Sequence, residues 1–525
     1  MTAMRPRLTL ALLVATGCAG SAPDSGNGPG PATGADDQGP AVTVYSSADP
    51  AGFDPQQFIA QQRLGYNPLF ANQVPGFAVV KETRPAKLGA GVTDLKFTDV
   101  AQFIDPTTVS IADLTDPSTV VLEQNFQFDL ASPSKILDRY IGREIGYVQE
   151  KDGVVVKQWK GTLLANNQAH GQLVVETPEG LQFLNFADPG IRLPSLPEGL
   201  ITKPTLVWKL RSAEGGDHRV RTTYQTQGMT WRADYNVILA ADEKSADVAA
   251  WVSLLNLCGA TFKGARLKLV AGDVNRVQPE YADLSARASG GRLLEDREEA
   301  PGFEEKAFFE YHLYTLPRKT DVLDNTTQQL TLFPTARGVP VERVLVYYGL
   351  PDAASWGYQP QPMRDRDLGG QSNPKVDVYL RVVNSEASHM GMPLPRGRVR
   401  VYKADDADGT LEFVGEDLID HTPKDEKVLV KMGQAFDVVG ERRATDFKID
   451  NKRDWMQESF EIVLRNHKDA AVKVIVKENL YRWTNWEITQ KSDAFSKADA
   501  RTIHFDVDVP ANGEKKLTYT VRYTW

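Results

Sequence analysis

The sequence contains very little cysteine, no long hydrophobic run and no excess of basic charge. Two cysteines, Cys18 and Cys258, are too few for a disulfide framework. The apolar run at residues 8–15 is much shorter than the roughly 20 residues of a membrane-spanning helix. Sixty Lys and Arg residues against 69 Asp and Glu residues give a net charge of −9. A net-acidic chain lacks the electrostatic footprint of a nucleic-acid-binding protein, so we expect no nucleic-acid partner.

Motifs that mark common catalytic and cofactor sites are missing as well. We find no nucleophile elbow, phosphate-binding loop, dinucleotide fingerprint or zinc-binding helix motif. The seven histidines are too far apart in sequence to form a local metal-binding pair: His170, His218, His312, His389, His421, His467 and His504. A site assembled from distant strands stays open. We therefore predict no cofactor and no metal ion, and the catalytic residues, if there are any, stay unknown.

The amino terminus indicates the compartment. Arg5 and Arg7 precede the short apolar run, which ends in the sequence ATGC at residues 15–18. This segment resembles a bacterial lipoprotein signal peptide. The resemblance implies that residues 1–18 are a signal peptide and that Cys18 is lipidated and becomes the mature amino terminus. The alternative interpretation is an ordinary secretory signal that contains a cysteine by chance.

The resemblance also implies where the protein is held. The residue after Cys18 is Ala19, and lipoprotein sorting rules then favour the outer membrane, with the chain facing the periplasm or the cell surface. Residues 19–41 are rich in Gly, Pro, Ser and Asp and cannot form a core, so they predict a flexible tether. The membrane, reached through lipidated Cys18, is thus an expected partner.

Segments of alternating apolar and polar residues recur from residue 42 onward, separated by Gly and Pro. The predicted fold class is all-β, with several stacked antiparallel β-sandwich domains, a small β-barrel-like unit and few helices. One short helix is expected, because Ser132 is a suitable N-cap and Pro133 fits the first helical turn. The predicted units are an amino-terminal β domain at 42–132, the barrel-like unit at 133–203, a central β-sandwich region at 204–447 with a mobile insertion at 280–306, and a carboxy-terminal β-sandwich at 448–525.

Two tryptophans are predicted to anchor the central sandwich. Trp231 shares one strand face with Ala233, Tyr235 and further apolar residues. Trp251 begins the next apolar run, so both rings are expected to be buried.

Two acidic stretches were considered as sites. Residues 405–412 resemble a calcium-binding loop, but the positions of two ligands are not acidic, so a hairpin turn is favoured over a weak surface calcium site. Asp417, Asp420 and His421 lie close in sequence and include the residue types of acid–base catalysis. Their spacing on an alternating strand does not bring them together, which favours a structural turn network.

Aromatic residues cluster near the carboxyl terminus, and they allow two interpretations. Tyr481, Trp483, Trp486 and Trp525 suit either packing in a core or stacking on a sugar or partner surface. The rings of Tyr481 and Trp483 are expected to share one strand face. Packing is favoured because it is more common. Cys258 is interpreted as a small turn residue and not as a nucleophile, since no histidine is near it in sequence.

Three groups of segments resemble a known family. They are TWRADY at 230–235 with WVSL at 251–254 and LKLVAGDVN at 267–275; YTLP at 314–317 with LF at 332–333 and VERVLVYY at 341–348; and PLPRGRVRVY at 393–402 with GED at 415–417 and DHTP at 420–423. Together they look like the bacterial domain of unknown function in the carboxy-terminal part of mucoidy-inhibitor-A-like proteins. The resemblance covers roughly residues 200–525. It supports the fold prediction, and it implies no activity because the family has no established one.

Two functional hypotheses follow. The first is a lipid-anchored cell-envelope protein that serves as a non-enzymatic binding or assembly module, with an envelope protein or polysaccharide as its partner. The alternative is an envelope-glycan hydrolase whose carboxylates come together from distant strands. A cleft with two carboxylates about 5–9 Å apart would favour the hydrolase.

Overall fold

The computed structural model describes residues 39–45, 74–167, 170–185, 187–272, 303–308, 311–350, 360–370, 372–405, 407–450, 452 and 454–525. These residues form strands joined by turns, with a single α-helix, and they confirm the all-β fold class. No described helix has the length and apolar character needed to cross a membrane. The predicted signal peptide with Cys18, nearly all of the predicted tether and most of the predicted insertion at 280–306 lie outside the described residues.

The strands follow one another along the whole described chain. The amino-terminal elements are β1 (Ala41–Tyr45), β2 (Phe77–Leu88), β3 (Gly91–Thr98), β4 (Ser110–Asp113), β5 (Val120–Gln127), α1 (Pro133–Tyr140), β6 (Glu144–Lys151), β7 (Val154–Asn167), β8 (Gln172–Thr177), β9 (Gly180–Asn185) and β10 (Ile191–Arg192). The central strands are β11 (Thr205–Ser212), β12 (Gly216–Thr226), β13 (Met229–Leu239), β14 (Ser245–Asn256), β15 (Phe262–Ala271), β16 (Glu304–Phe308), β17 (Tyr311–Thr315), β18 (Thr320–Val322), β19 (Thr326–Tyr348) and β20 (Lys375–Val383). The last strands are β21 (Gly397–Ala404), β22 (Leu411–Ile419), β23 (Lys427–Ile449), β24 (Trp455–Asn466), β25 (Val472–Asn479), β26 (Trp486–Lys491), β27 (Phe495–Lys497), β28 (Thr502–Val509) and β29 (Gly513–Thr524).

These strands form four sheets. An eight-stranded sheet has the order β16-β17-β15-β1-β2-β12-β4, with β18 pairing β15. A three-stranded sheet has the order β3-β11-β5, and a five-stranded sheet has the order β10-β6-β7-β8-β9. A 13-stranded sheet runs β22-β21-β13-β14-β19-β20-β23-β24-β29-β26, with β25, β27 and β28 joined at its side. Most pairings are antiparallel, and the parallel ones are β1 with β15, β13 with β21 and β19 with β25.

The five-stranded sheet is an insertion between two strands that pair with each other. Strands β5 and β11 are antiparallel neighbours, and residues 133–203, which we call the inserted unit, connect them. Helix α1 begins as predicted, because the Ser132 side chain accepts a hydrogen bond from the Lys135 amide and Pro133 occupies the first turn. A small separate core includes Leu137, Ile145 and Leu163. The unit is small and β-rich as predicted, but its sheet is open, with β10 and β9 as edges.

Two larger cores lie along the 13-stranded sheet. The first fills the space between the eight-stranded and three-stranded sheets and the β13–β14–β21 part of the 13-stranded sheet. The second lies among the carboxy-terminal strands β23 to β29 and the adjoining parts of β19 and β20. Strand β19 is 23 residues long and contributes Leu332 to the first core and Leu345 to the second.

Strand pairing extends across the predicted unit boundaries. Strand β2, from the predicted amino-terminal domain, pairs along its length with β12 from the central region. Strand β23 passes through residue 448 and pairs with β24 on the other side of that boundary. The sheets are therefore not confined to the units that the sequence predicts.

The predicted insertion is wrong at its carboxy-terminal end. Phe303 is buried in the first core, and its amide donates to the carbonyl of Leu332 at 2.8 Å. Strand β16 then begins at Glu304 and pairs with β17. The charge run at 295–299 suggested a polar segment through residue 306, whereas the large aromatic ring at 303 is buried.

Trp231 is buried as predicted, and the prediction for Trp251 is wrong. Trp231 is 2 % exposed, and its indole nitrogen donates to the carbonyl of Val44 at 3.1 Å. Trp251 is half-buried and lies on the opposite face of β14 from the core residues Ala250 and Val252. Residues 252–256 are buried on both faces of the strand, so the apolar residue Leu255 does not reveal the face of Trp251.

We expect Trp231→Ala to lower the free energy of unfolding by about 3–5 kcal/mol, since it leaves a cavity in the first core and removes the indole hydrogen bond to the Val44 carbonyl. Trp251→Ala is the matched control. It should lower the free energy of unfolding by clearly less, because the Trp251 ring is half-buried. Urea unfolding followed by circular dichroism measures both. Equal losses for the two variants would contradict the face assignment.

Candidate functional site

The most unusual polar feature of the described residues is a pair of buried ion pairs in the second core. Arg442 Nε lies 2.9 Å from Glu478 Oε2, and Arg482 Nη2 lies 2.7 Å from Glu458 Oε1. All four side chains are at most 3 % exposed. We call these four residues the Arg–Glu cluster. Charged groups are rarely buried to this extent unless they are paired.

Tyrosines extend the Arg–Glu cluster within the core. The hydroxyl of Tyr519 donates to Glu478 Oε2. The hydroxyl of Tyr481 lies 3.4 Å from Glu458 Oε1 and 3.2 Å from the Leu368 carbonyl. Burial raises the pKa of Tyr481 to about 12, so this hydroxyl keeps its proton at neutral pH.

The two guanidinium groups also bind the chain segment that precedes β20. Arg482 Nη1 donates to the carbonyls of Met363 and Asp365, and its Nη2 donates to that of Leu368. Arg442 Nη1 donates to the carbonyl of Gly369 at 2.9 Å. The arginines thus satisfy carbonyls that no strand partner satisfies, and they hold residues 363–369 against the sheet.

Two glycines provide room for side chains at the cluster, one for Arg442 and one for the neighbouring Tyr347. A Cβ at Gly349 would lie 2.2 Å from Arg442 Cδ. A Cβ at Gly440 would lie 2.2 Å from the ring of Tyr347. Both contacts are closer than carbon atoms can approach, so the absence of a side chain at these positions is required for the packing.

The arrangement is suited to holding structure and not to reacting with a ligand in solution. Burial raises the pKa of Glu458 even though the paired Arg482 acts in the opposite direction. The cluster is closed to solvent, and each carboxylate is bound to an arginine. Replacing a buried pair of this kind by apolar residues is often neutral or stabilising, whereas removing one partner alone is strongly destabilising.

Sequence reasoning missed the Arg–Glu cluster, although a signal was present. Glu458 lies in phase with Met456 and Phe460 on the buried face of β24. Glu478 is likewise in phase with the buried Val476, and Arg442 with the buried Val438. A charged residue at an in-phase apolar position predicts a buried ion pair, but only the fold shows which partner it has.

A second buried polar pair lies in the amino-terminal sheets. His218 Nδ1 is 2.7 Å from Asp113 Oδ2, and both side chains are at most 5 % exposed. The Asp113 carboxylate also accepts hydrogen bonds from the amides of Thr115 and Asp116 and from the hydroxyl of Thr119. Burial works to raise the pKa of Asp113, but these hydrogen bonds outweigh it and lower the pKa.

A cleft of about 250 Å³ lies next to this pair. Its lining residues are mostly apolar: Ile111, Ala112, Asp113, Pro117, Thr119, Val121, Leu210 and Val220. Asp113 is the one ionisable residue in this lining, and its carboxylate is occupied by the hydrogen bonds described above. The cleft therefore does not offer the two carboxylates that glycoside hydrolysis requires.

The interpretation of residues 420–423 as a turn network is confirmed. Asp420 is 79 % exposed, accepts a hydrogen bond from the His421 amide and lies 3.5 Å from the Arg396 Nε atom. The His421 Nδ1 atom accepts from the backbone amide of Arg396. Asp417 lies outside this turn, in β22, where it accepts hydrogen bonds from the amides of Leu418 and Lys431.

The acidic stretch at 405–412 forms the predicted hairpin turn between β21 and β22. The Asp405 amide donates to the Thr410 carbonyl, and Asp408 accepts from the amide and hydroxyl of Thr410. Gly409 has a positive φ of 73°, which a glycine adopts without strain. Within the described part of the chain, no group of three or more His, Cys, Asp or Glu side chains is placed to hold a metal ion.

The aromatic residues near the carboxyl terminus pack against a core, as the sequence favours, but one detail of the prediction is wrong. Tyr481 is buried, and Trp483, Trp486 and Trp525 are partly buried against the second core. Residues 481–483 lie beyond the end of β25 and do not form a strand, so the shared strand face expected for Tyr481 and Trp483 is wrong. Cys258 is fully buried in a turn, and burial raises the pKa of its thiol, which makes it a poor nucleophile.

Exposed apolar side chains are concentrated in one stretch of the sequence. More than half of the large exposed apolar residues in the described chain lie between residues 120 and 196: Val120, Val121, Leu122, Phe128, Ile141, Val154, Val155, Val156, Leu164, Leu181, Phe183 and Leu196. Three of them, Val154 to Val156, follow the Asp152-Gly153 turn of the β6–β7 hairpin. Exposed apolar surface of this kind is typical of interaction sites.

The fold defines an all-β protein, and the buried ion pairs and turn networks described above bind one another and the backbone. A family model for the domain of unknown function DUF4139 matches residues 220–525, which is more than half of the chain. The chain therefore belongs to the DUF4139 family, and the resemblance described from the sequence is confirmed. No match to a curated protein is found. The inserted unit and its exposed apolar residues lie outside the matched region.

We expect Arg482→Met to lower the free energy of unfolding by about 3–5 kcal/mol, because Glu458 then stays buried without its cation. The double variant Arg482→Met/Glu458→Met should recover part of this loss, since no uncompensated charge remains. Urea unfolding measures both variants.

Lys160→Met is the control for these variants. Lys160 pairs with Glu144, and both side chains are more than half exposed. Surface ion pairs contribute little to the free energy of unfolding, so the unfolding midpoint of the Lys160→Met variant should not change. Equal midpoints for Lys160→Met and Arg482→Met would contradict a structural role of the Arg–Glu cluster.

Proposed function

We propose that the chain is a lipid-anchored protein of the cell envelope that acts as a non-enzymatic binding or assembly module. The observation that carries the proposal is the concentration of exposed apolar side chains on residues 120–196. Such surface is unfavourable in water, and in soluble proteins it typically marks a contact with a partner. The proposed partner is an envelope protein or polysaccharide.

The polar features of the molecule are consistent with this proposal. The Arg–Glu cluster is closed to solvent, and Asp113 is bound to His218 and to backbone amides. The hydrolase alternative needs two accessible carboxylates in one cleft, and the described cleft contains one carboxylate that is already hydrogen-bonded. A binding module needs no such pair.

Membrane attachment is the second part of the proposal. It is supported by the positive residues, the short apolar run and the cysteine at residues 1–18. Lipidation of Cys18, followed by the polar segment 19–41, would keep the folded part near the outer membrane on its periplasmic or outer surface.

We expect Cys18→Ser to move the protein out of the membrane fraction and to leave the unprocessed precursor. Detergent-phase partitioning and the mass of the amino terminus measure this. Cys258→Ser is the matched control and should stay in the detergent phase, since Cys258 is buried and has no role in anchoring. A processed Cys18→Ser protein in the detergent phase would contradict lipid attachment.

We expect Val155→Asp to weaken binding to isolated envelope fragments by about 10-fold, or about 1.4 kcal/mol. The variant places a charge on the exposed tip of the β6–β7 hairpin without touching a core. Co-sedimentation of the full chain carrying Cys18→Ser measures binding without a contribution from acyl chains.

Leu411→Asp is the matched control for this experiment. Leu411 is an exposed apolar residue of β22, far in sequence from the inserted unit, so its substitution should leave binding unchanged. Equal binding by both variants would contradict the proposed surface. Release of soluble sugar from the fragments would instead support the hydrolase alternative.

A further inference from the structure

The inserted unit has one sheet edge that lacks the usual protection. Strand β9 is the last strand of its sheet and has the sequence GLQFLN, with no charged residue and no proline. The other edge strands of the described sheets all carry charge: Asp94 in β3, Asp113 in β4, Glu123 in β5, Arg192 in β10, Glu304 in β16, Asp321 in β18, Glu416 in β22, Glu487 in β26 and Lys497 in β27. Charge at an edge opposes pairing with another chain. Strand β9 is therefore the edge at which pairing is least opposed.

The register of β8 with β9 shows which groups point outward. A two-residue turn places Thr177 opposite Gly180, and this pair is the hydrogen-bonded one next to the turn. Pairs then alternate, so Leu181, Phe183 and Asn185 direct their backbone groups away from β8. A hydrogen bond supports this direction for Asn185, because its carbonyl accepts from the Asp188 amide, which lies outside the sheet.

The same residues present apolar side chains to solvent. Leu181 is 55 % exposed and Phe183 is 69 % exposed. Both lie on the face of β9 opposite Leu184, which packs against the small core of the inserted unit. The edge thus offers the outward backbone groups of Leu181 and Phe183 together with a large apolar surface, while the Asn185 carbonyl is already bonded to the Asp188 amide.

We propose that β9 pairs in antiparallel fashion with β9 of a second copy of this chain, which joins the two inserted units into one continuous sheet. The two-fold axis passes at Phe183, so that each Phe183 faces its counterpart and each Leu181 faces Asn185 of the other copy. This inference rests on the proposed function, because it names the partner of one edge of the same unit. It makes the assembly at this edge a homodimer.

A second copy fits this edge because the strand is complementary to itself. A two-fold interface uses the same surface on both chains. An uncharged strand places no like charges opposite one another, which would otherwise oppose self-pairing. The two exposed Phe183 rings meet at the centre, where their burial removes the largest apolar area of the strand from water.

The test is sedimentation velocity of the full chain carrying Cys18→Ser, over a range of concentrations. We expect a dimer in this background. Adding Phe183→Lys should raise the dimer dissociation constant at least about 10-fold, because two lysines then face each other at the axis. Phe436→Lys is the matched control, since Phe436 is 97 % exposed on another strand, and it should leave the dimer intact.

A charge pair tests the register. Leu181→Lys alone should weaken the dimer, and Leu181→Lys/Asn185→Glu should restore it, because position 181 faces position 185 of the other copy. Circular dichroism confirms that each variant is folded. Restoration supports antiparallel pairing at Phe183, and failure to restore overturns that register.

Two results would overturn the proposal as a whole: a parent that is monomeric at every concentration, or a dimer that Phe183→Lys does not weaken. A monomeric parent that still sediments with envelope fragments overturns the pairing of β9 and leaves the proposed binding function intact. A dimer that does not sediment with envelope fragments supports the pairing of β9 and overturns the proposed binding function.

Discussion

The pairing of two very long strands with their neighbours is the constraint on which the larger part of the structure depends. Strands β19 and β23 are each 23 residues long, and each contributes to both large cores. In β19, Val339 belongs to the first core and Leu345 to the second; in β23, Val430 and Val438 are divided in the same way. Because both strands pass from one core to the other, the cores share one sheet and cannot separate without breaking its backbone hydrogen bonds.

The Arg–Glu cluster depends on this continuity. Arg442 comes from β23, Glu458 from β24 and Glu478 from β25, which pairs with β19. Burying four charges has a large desolvation cost, and well-packed apolar residues would often be at least as stable. What apolar residues could not do is bind the carbonyls of residues 363–369. The cluster thus holds residues 363–369, which lie between β19 and β20, against the sheet.

The sequence predicts most of the strands, because a half-buried antiparallel strand alternates apolar and polar residues. Alternation alone would divide β19 and β23, because Gly338, Pro340 and Gly433 usually end a strand, whereas here the sheet tolerates such residues, with β-bulges nearby. The signal for β9 is weak, because this strand is short and lacks the β-branched residues typical of strands. Among the candidate sites, local turn networks were predictable from neighbouring residues. The Arg–Glu cluster was not, because its members are up to 40 residues apart in sequence, and the in-phase positions of Glu458, Glu478 and Arg442 do not show which residue pairs with which.

The position of the inserted unit explains how one region can carry a binding surface without disturbing the rest. The unit leaves and re-enters the fold between β5 and β11, which pair with each other, so its two ends are held close together. Its core is separate from the two large cores. Changes in its exposed residues therefore need not affect the 13-stranded sheet, whose strands lie within the region shared with the family. The inserted unit has one charged edge, β10 with Arg192, and one uncharged edge, β9. Since an uncharged apolar edge opposes association least, the proposed contact with another molecule falls on the part of the chain that lies outside the family region.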